Sequence, residues 1–287
     1  MYNLRYISDN GNEISFSTSN NWAITKVDGL TSVSVSFATS QGFGQVGTTI
    51  QGESIEDKSI LIEGTMLGQS TEMREQLLKT VVPGVGGRLT FDNKWFVDVR
   101  VKTSPDIERK KYNSEFQFKF WAAYPYWMLL EQTSTMLSGI ESKFRFPVNY
   151  STPHTFGTRK TEAYKDAYNS GSVPIPFKIL FYAKTTVTNP QIINVKTLKF
   201  IRIEKTMTAG EIITIDMTTT PVSITSTISN VTSNAVKYFD IDSTFFKLEL
   251  GENLITSDAD VNESGLYCTI IYNIATAGAY GNDDTYM

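Results

Sequence analysis

The sequence predicts a mainly β protein in two domains, with one helix confined to the first. Three observations predict it. Val97, Val99 and Val101 alternate with Asp98, Arg100 and Lys102, and Phe116, Phe118 and Phe120 alternate with Gln117 and Lys119. That is the period of half-buried strands, here two that pair with valine against phenylalanine on one face. A helical period occurs once, where Met73, Leu77, Leu78 and Val81 fall on one side and Arg74, Glu75 and Lys79 on the other. From Val173 onward the chain is short alternating runs and turn residues, with threonine-rich faces, the pattern of an antiparallel sandwich or jelly roll.

In chain order, Ile14 and Phe16 mark an early strand, and Val33, Val35 and Phe37 a clearer one. Gln41-Gly42-Phe43-Gly44-Gln45-Val46-Gly47 and the residues to Asp57 follow, read as a mobile, mostly polar arm. Loops of this length in compact domains usually bind something. Phe43, Val46 and the neighbouring Ile50 are therefore the candidate contact residues, with a neighbouring copy as the expected partner. Residues 59–66 return to strand through Ile60 and Ile62. Ser70 is the expected N-cap of the helix, with Glu72 at its positive end, and Pro83-Gly84 stops it, which places it near 70–82. Ser104-Pro105-Asp106 reads as a break between the valine and phenylalanine strands. Pro125 marks the exit from the sheet and the start of a crossing to the second domain.

Residues 132–171 read as a long excursion through Phe144, Phe146, Pro147 and Pro153. Ile175, Phe177, Ile179 and Phe181 then alternate. Asn189-Pro190 is a turn signal, and Ile192, Ile193, Leu198, Phe200, Ile201 and Ile203 continue the strands. Gly210 sits where a hairpin would turn before Ile213 and Ile215. Further strands are expected over 222–228, 245–250 and 266–274. The domains divide near Thr135, as 1–135 and 136–287.

Hydrophobic residues make up 40% and charged residues 20% of the 287, an ordinary globular balance, and the net charge is -4. No run is long and apolar enough for a membrane span, and the N-terminus lacks the regions of a signal peptide. A nucleic-acid groove would need a concentrated basic face, which is missing. One cysteine, Cys268, excludes an intrachain disulfide, and one histidine, His154, leaves little for zinc or for Ser-His-Asp and Cys-His chemistry. No nucleophile elbow or phosphate loop is present. The acidic pairs Asp240/Asp242, Asp258/Asp260 and Asp283/Asp284 are candidates for glycoside cleavage, but such pairs in β-rich chains are usually solvated turns. Asp258 and Asp260 with Asn262 and Glu263 have the composition of a calcium loop without the glycine that its sharp turn needs. No enzyme, no cofactor and no metal site is the expectation.

The chain resembles the distal tail proteins of long-tailed phages with non-contractile tails. In the first half the match is carried by Gly87-Arg88-Leu89-Thr90-Phe91, Ala123-Tyr124-Pro125-Tyr126 and the helix. In the second it is carried by Asn169-Ser170-Gly171, Pro174 and Pro176, Asn189-Pro190-Gln191-Ile192, the run Gly210-Glu211-Ile212-Ile213-Thr214-Ile215-Asp216, and Phe246-Lys247-Leu248-Glu249-Leu250-Gly251-Glu252-Asn253. Tyr124 departs from the pattern where an acidic residue is expected, and so does Leu250 where proline is.

The resemblance implies a β-sandwich-like N-terminal domain that closes as six copies into a ring, and a galectin-like β-sandwich projecting from it. It implies a place in the virion at the distal end of the tail, after assembly in the host cytoplasm. The expected partners are the tail tube protein, a tail-associated hub or tip protein and receptor-binding proteins, with DNA passing the lumen unbound. Because the fold is shared with sugar-binding proteins, a lectin-like module is the alternative. All four tryptophans, Trp22, Trp95, Trp121 and Trp127, lie in the first half, which favours the scaffold, and Tyr182, Tyr238, Tyr267 and Tyr272 occupy positions in the second half that read largely as core.

Overall fold

The computed structural model describes residues 3–68, 71–142, 157–160 and 164–279. The chain packs as two compact units, dividing between Glu131 and Gln132 and again after Ile274, so that residues 275–279 belong to the first unit.

The first unit contains β1 (Leu4–Ser8), β2 (Glu13–Phe16), β3 (Trp22–Asp28), β4 (Val35–Ser40), β5 (Thr49–Ile55), β6 (Lys58–Met66), α1 (Thr71–Thr80), β7 (Gly86–Phe91), β8 (Trp95–Arg109), β9 (Ser114–Ala122) and β10 (Trp127–Leu129). Its main sheet runs β2-β1-β7-β8-β9-β6-β3, antiparallel throughout, and β10 pairs with the start of β8. The valine and phenylalanine runs pair as the alternation predicts: Val101 lies opposite Phe120, and Ile60 and Ile62 face Phe120 and Phe118 from β6. Period-two burial puts Phe116, Phe118 and Phe120 on one face, where Phe16 stacks 5.9 Å from Phe116 and 5.8 Å from Phe118 and Tyr6 lies 4.7 Å from Phe120. The helix closes this core with Leu77 and, just past its end, Val81; Met73 is half-buried and Leu78 points outward, against expectation.

Three boundaries differ from the sequence reading. Ser104-Pro105-Asp106 does not end a strand: β8 continues to Arg109, and the register slips there, an irregularity that accommodates a proline within a paired strand. The chain has not left the unit at Pro125, because β10 rejoins the sheet at β8. The polar arm is not a loop but a β4–β5 hairpin, which begins before it. Ser70 and His154 lie outside the described residues.

The second unit contains β11 (Thr133–Met136), β12 (Gly139–Ser142), β13 (Gly157–Lys160), β14 (Lys165–Asp166), β15 (Lys178–Ala183), β16 (Val187–Asn194), β17 (Phe200–Arg202), β18 (Thr206–Met207), β19 (Ile212–Asp216), β20 (Ser223–Ile228), β21 (Val231–Asn234), β22 (Leu254–Val261) and β23 (Leu266–Tyr272). Two antiparallel sheets make a sandwich, β11-β23-β15-β19-β20-β21 and β14-β22-β16-β17 with β18 beside β16; β12 and β13 form a separate pair. The inward sides of the strands supply the core, Ile179, Phe181, Ile213, Ile215, Ile224, Cys268 and Ile270 from one sheet and Ile192, Ile201 and Ile255 from the other. Burial pushes the Cys268 thiol far up, so it behaves as a small apolar side chain.

Here too local signals mislead about partners. Asn189-Pro190 lies inside β16, where Asn189 takes a left-handed φ of 52° and its side chain donates to Asp260 Oδ2 at 2.8 Å. Leu198 is exposed in the β16–β17 turn. Gly210 does turn the chain at φ 84°, but its flanking strands pair in different sheets, so it is a crossover and not a hairpin. Residues 245–250 form no continuous strand; Leu248 bridges singly to Ile175.

The crossover is held by a buried ion pair. Glu211 accepts hydrogen bonds from Ser226 Oγ (2.6 Å) and Thr208 N (3.0 Å) and pairs with Lys205 Nζ, joining groups from both sheets. Two buried asparagines fix the loops at the sandwich end. Asn169 Nδ2 donates to Val173 O (2.9 Å) and Leu248 O (3.1 Å), and Asn253 Nδ2 is shared among Glu249 O, Gly251 O and Ala167 O. These asparagines stand in two of the segments that carry the family resemblance, and their backbone bonds explain why those segments need them.

Candidate assembly interface

In the β4–β5 hairpin Val35 faces Ile55, Phe37 faces Glu53 and Thr39 faces Ile50, while Ser36 faces Ser54, Ala38 faces Gly52 and Ser40 faces Thr49. Directly paired residues share a face and successive ones alternate. One face therefore carries Val35, Phe37, Ile50 and Ile55 with Thr39 and Glu53 among them, and the other carries small or hydroxylic residues and Gln51. The Ser36 and Ser54 hydroxyls are 2.8 Å apart there. A register slip between Ala38 and Thr39 leaves Gln51 as the extra residue, donating to Ser40 Oγ at 2.9 Å.

The sequence candidates separate into two places. Phe43 and Val46 sit on the tip, where Gln45 organises the turn: its Oε1 accepts from Gly42 N (2.9 Å) and its Nε2 donates to Thr49 Oγ1 (3.0 Å). The tip thus presents both apolar side chains outward, fully exposed. Ile50 sits on the apolar face of the strand ladder. It is 62% exposed, and Ile55, Phe37 and Val35 are 54, 53 and 42% exposed. Sequence reasoning did not single out Val35, Phe37 and Ile55: Val35 and Phe37 read only as a strand, because a period of two reports an apolar face without reporting what covers it, and Ile55 read as part of the polar arm.

An isolated two-stranded hairpin is marginal in water, and an uncovered apolar stripe on one marks a contact surface. The main sheet offers two edges to such a hairpin. At β2 the helix lies alongside, and Gln76 Nε2 reaches Glu13 O at 3.5 Å. At β3 no further strand is paired among the described residues, so its outer edge is open. Edges of this kind accept added strands.

The acidic pairs are engaged in structure. Asp258 Oδ2 accepts from Gln191 Nε2 (3.1 Å), Asp260 Oδ2 accepts from Arg202 Nη2 (2.5 Å), and Asp240 Oδ1 accepts from Asp242 N (2.9 Å) in a local turn. Asn262 Nδ2 donates to Thr185 Oγ1 (2.8 Å) and Thr186 O (2.7 Å). Among the described residues no three His, Cys, Asp or Glu side chains converge to hold a metal ion. Asp283 and Asp284 lie outside the described residues. Trp22, Trp95 and Trp127 are buried, and Trp121 Nε1 donates to Asp57 at the foot of the hairpin. In the second unit Tyr272 is core, but Tyr182 and Tyr267 are not: they pair across β15 and β23 on the outer face of the six-stranded sheet, rings 6.0 Å apart.

Residues 170–274 match the family described as siphovirus-type tail component, C-terminal domain. Among curated proteins none matches the sequence. Of solved structures, the Dit protein of phage SPP1, described as a paradigm of the hub adsorption apparatus of phages infecting Gram-positive hosts, is similar with a TM-score of 0.68 at 11% identity. The alignment covers 95% of this chain and 98% of that one. Two structures of the phage P2 baseplate in its activated conformation, with calcium and with strontium, contain chains similar at TM-scores of 0.54 and 0.51. Their identities are 12% and 13%, over 97% and 94% of this chain and 100% and 98% of theirs. Residues 170–274 are thus similar to the C-terminal domain of siphovirus-type tail components, and the chain shares the fold of these solved hub and baseplate proteins.

Proposed function

We infer that the protein is a structural component at the distal end of a siphophage tail, a hub or baseplate protein whose role is to assemble. The observation that carries this is the hairpin, whose apolar face and tip are uncovered in the single chain, on a fold shared with hub and baseplate proteins. A ring needs heterologous contacts, in which one patch meets a different patch on the next copy and the rotation closes. The hairpin of one copy laid along the β3 edge of the next satisfies that requirement, burying Phe37, Ile50 and Ile55 while β3 gains a partner. Six copies, as the resemblance implies, form the ring. It joins the tail tube protein to a hub or tip protein, with receptor-binding proteins beyond it and DNA passing the lumen unbound, since a net negative charge repels phosphate. The chain acts without catalysis in this role.

Electron microscopy of the purified protein tests the reading. Rings with a central hole support it, and particles that stay single at high concentration refute it. A basic bore that adsorbs DNA would refute the conduit. One observation favours the second reading, a glycan contact: Tyr182 and Tyr267 lie side by side on an outer sheet face that also carries Thr214, Thr225, Thr227 and Thr269. A glycan array with the full chain decides it, since saturable binding lost in Tyr182→Ala would establish the lectin and silence would leave a docking platform.

A further inference from the structure

Residues 275–279 lie across the root of the hairpin. Ala275–Thr276 (β24) pairs with β10, fixing the near end of the segment to the main sheet. Beyond it, three contacts reach the two legs of the hairpin. On the outgoing leg Lys58, buried at the first position of β6 and three residues past Ile55, donates from Nζ to Ala277 O at 3.1 Å. On the incoming leg Ala279 N donates to Leu30 O at 3.2 Å, and Gly278 lies so close to Thr31 that a Cβ on it would come within 2.8 Å of Thr31 Cα. Ala275 and Ala279 are themselves buried. The legs are also pinched together, because Gly29, at φ 84°, leaves no room for a side chain against Ser59 O. Immediately outward the ladder begins, with Glu56 N donating to Ser34 O at 3.0 Å.

We propose that residues 275–279 are a strap that sets the direction and order of the assembly arm. The arm has no apolar packing of its own to hold its angle, and its geometry is set at the root. Lys58 carries the outgoing contact from a buried site whose desolvation lowers its pKa to about 8, so below that pH it still donates to the carbonyl as an ammonium, although burial weakens its hold on the proton.

The inference rests on the hairpin being the ring contact, and the experiment separates the two. Hydrogen exchange is measured on the full chain and on Lys58→Met and Gly278→Val, each as monomer, with ring formation followed by mass photometry. In both variants amides of residues 30–55 are expected to exchange about tenfold faster or more, those of α1 and of β15 and β19 to be unchanged, and rings to form about tenfold more weakly. Unchanged exchange at the hairpin root in folded Lys58→Met refutes the strap. Faster exchange with undiminished rings keeps the strap and refutes the arm as the ring contact. Should Gly278→Val fail to fold, Lys58→Met, which leaves the strap backbone free of any clash, decides alone.

Discussion

Replacing Phe37 and Phe43 together by serine tests the assembly arm most sharply. Fully burying a phenylalanine is worth roughly 1.5–3 kcal/mol. Phe43 has its whole side chain to bury, and Phe37, at 53% exposure, about half of one. The pair then contributes about 2.5 and about 1.2 kcal/mol, close to 4 kcal/mol per contact between copies, and its loss weakens each contact by about three orders of magnitude. Because neither ring packs in the core of the single chain, monomer stability is expected to change by less than about 0.5 kcal/mol. Mass photometry across a concentration series, with a thermal melt beside it, reads both quantities. Rings persisting at the same concentration in a folded double variant would show that the uncovered apolar stripe is not the contact.

Other outcomes follow from the same geometry. Phe118→Ala, which empties the stacked centre of the first core, is expected to cost about 3–5 kcal/mol in denaturant unfolding. Glu211→Gln leaves Lys205 without its buried counter-charge and is expected to cost about 3 kcal/mol, while Lys205→Met with Glu211→Met recovers most of it; calorimetry compares the three. Desolvation alone would raise the Glu211 carboxyl, but Lys205, Ser226 and Thr208 together hold it below its usual 4.5. Its contribution is therefore complete above pH 4.5 and lost as pH falls through the lower folded value, a loss that acid denaturation of Glu211→Gln should lack. Lys58 works in the opposite direction. Its pKa falls from 10.5 to about 8 on folding, so between those values the unfolded chain holds a proton that the folded one lacks. Stability is expected to rise with pH across that window by up to roughly 3 kcal/mol, and Lys58→Met should flatten the rise.

The core of the first unit was legible because alternation at 97–101 and 116–120 states which face is buried, and pairing two such faces leaves few choices. The arm was legible only in part. Val35 and Phe37 announce a strand with an apolar face, but coverage is a property of distant chain, and here the two side chains stay 42% and 53% exposed. On the returning leg Gly52 and Glu53 interrupt the pattern between Ile50 and Ile55, so the ladder read as loop. Proline misled twice for one reason. Pro105 and Pro190 sit within strands, the first where the register slips and the second beside a left-handed Asn189, whereas sequence rules weigh the common case of a turn. Gly210 gave its backbone conformation correctly but not the change of sheet, since a local signal fixes a turn and not the strands that its flanks will join. The strap was silent. Ala275-Thr276-Ala277-Gly278-Ala279 has no period, and its contacts run through backbone atoms and the absence of a side chain.

The choice between chemistry and assembly turns on which groups the fold leaves unengaged. The carboxylates that could have formed a catalytic or metal site, Asp240, Asp258 and Asp260, lie on turns and strands already bonded to neighbours in the second unit. The hairpin carries a group of exposed apolar side chains, Phe37, Phe43, Val46 and Ile50 among them, with hydroxyls and glycine on the reverse of its ladder. Charged residues on both faces would have kept such an element soluble and idle. A chain that bonds these acids internally and leaves an amphipathic ladder exposed offers a surface suited to contact with other chains, on a fold that it shares with solved hub and baseplate proteins.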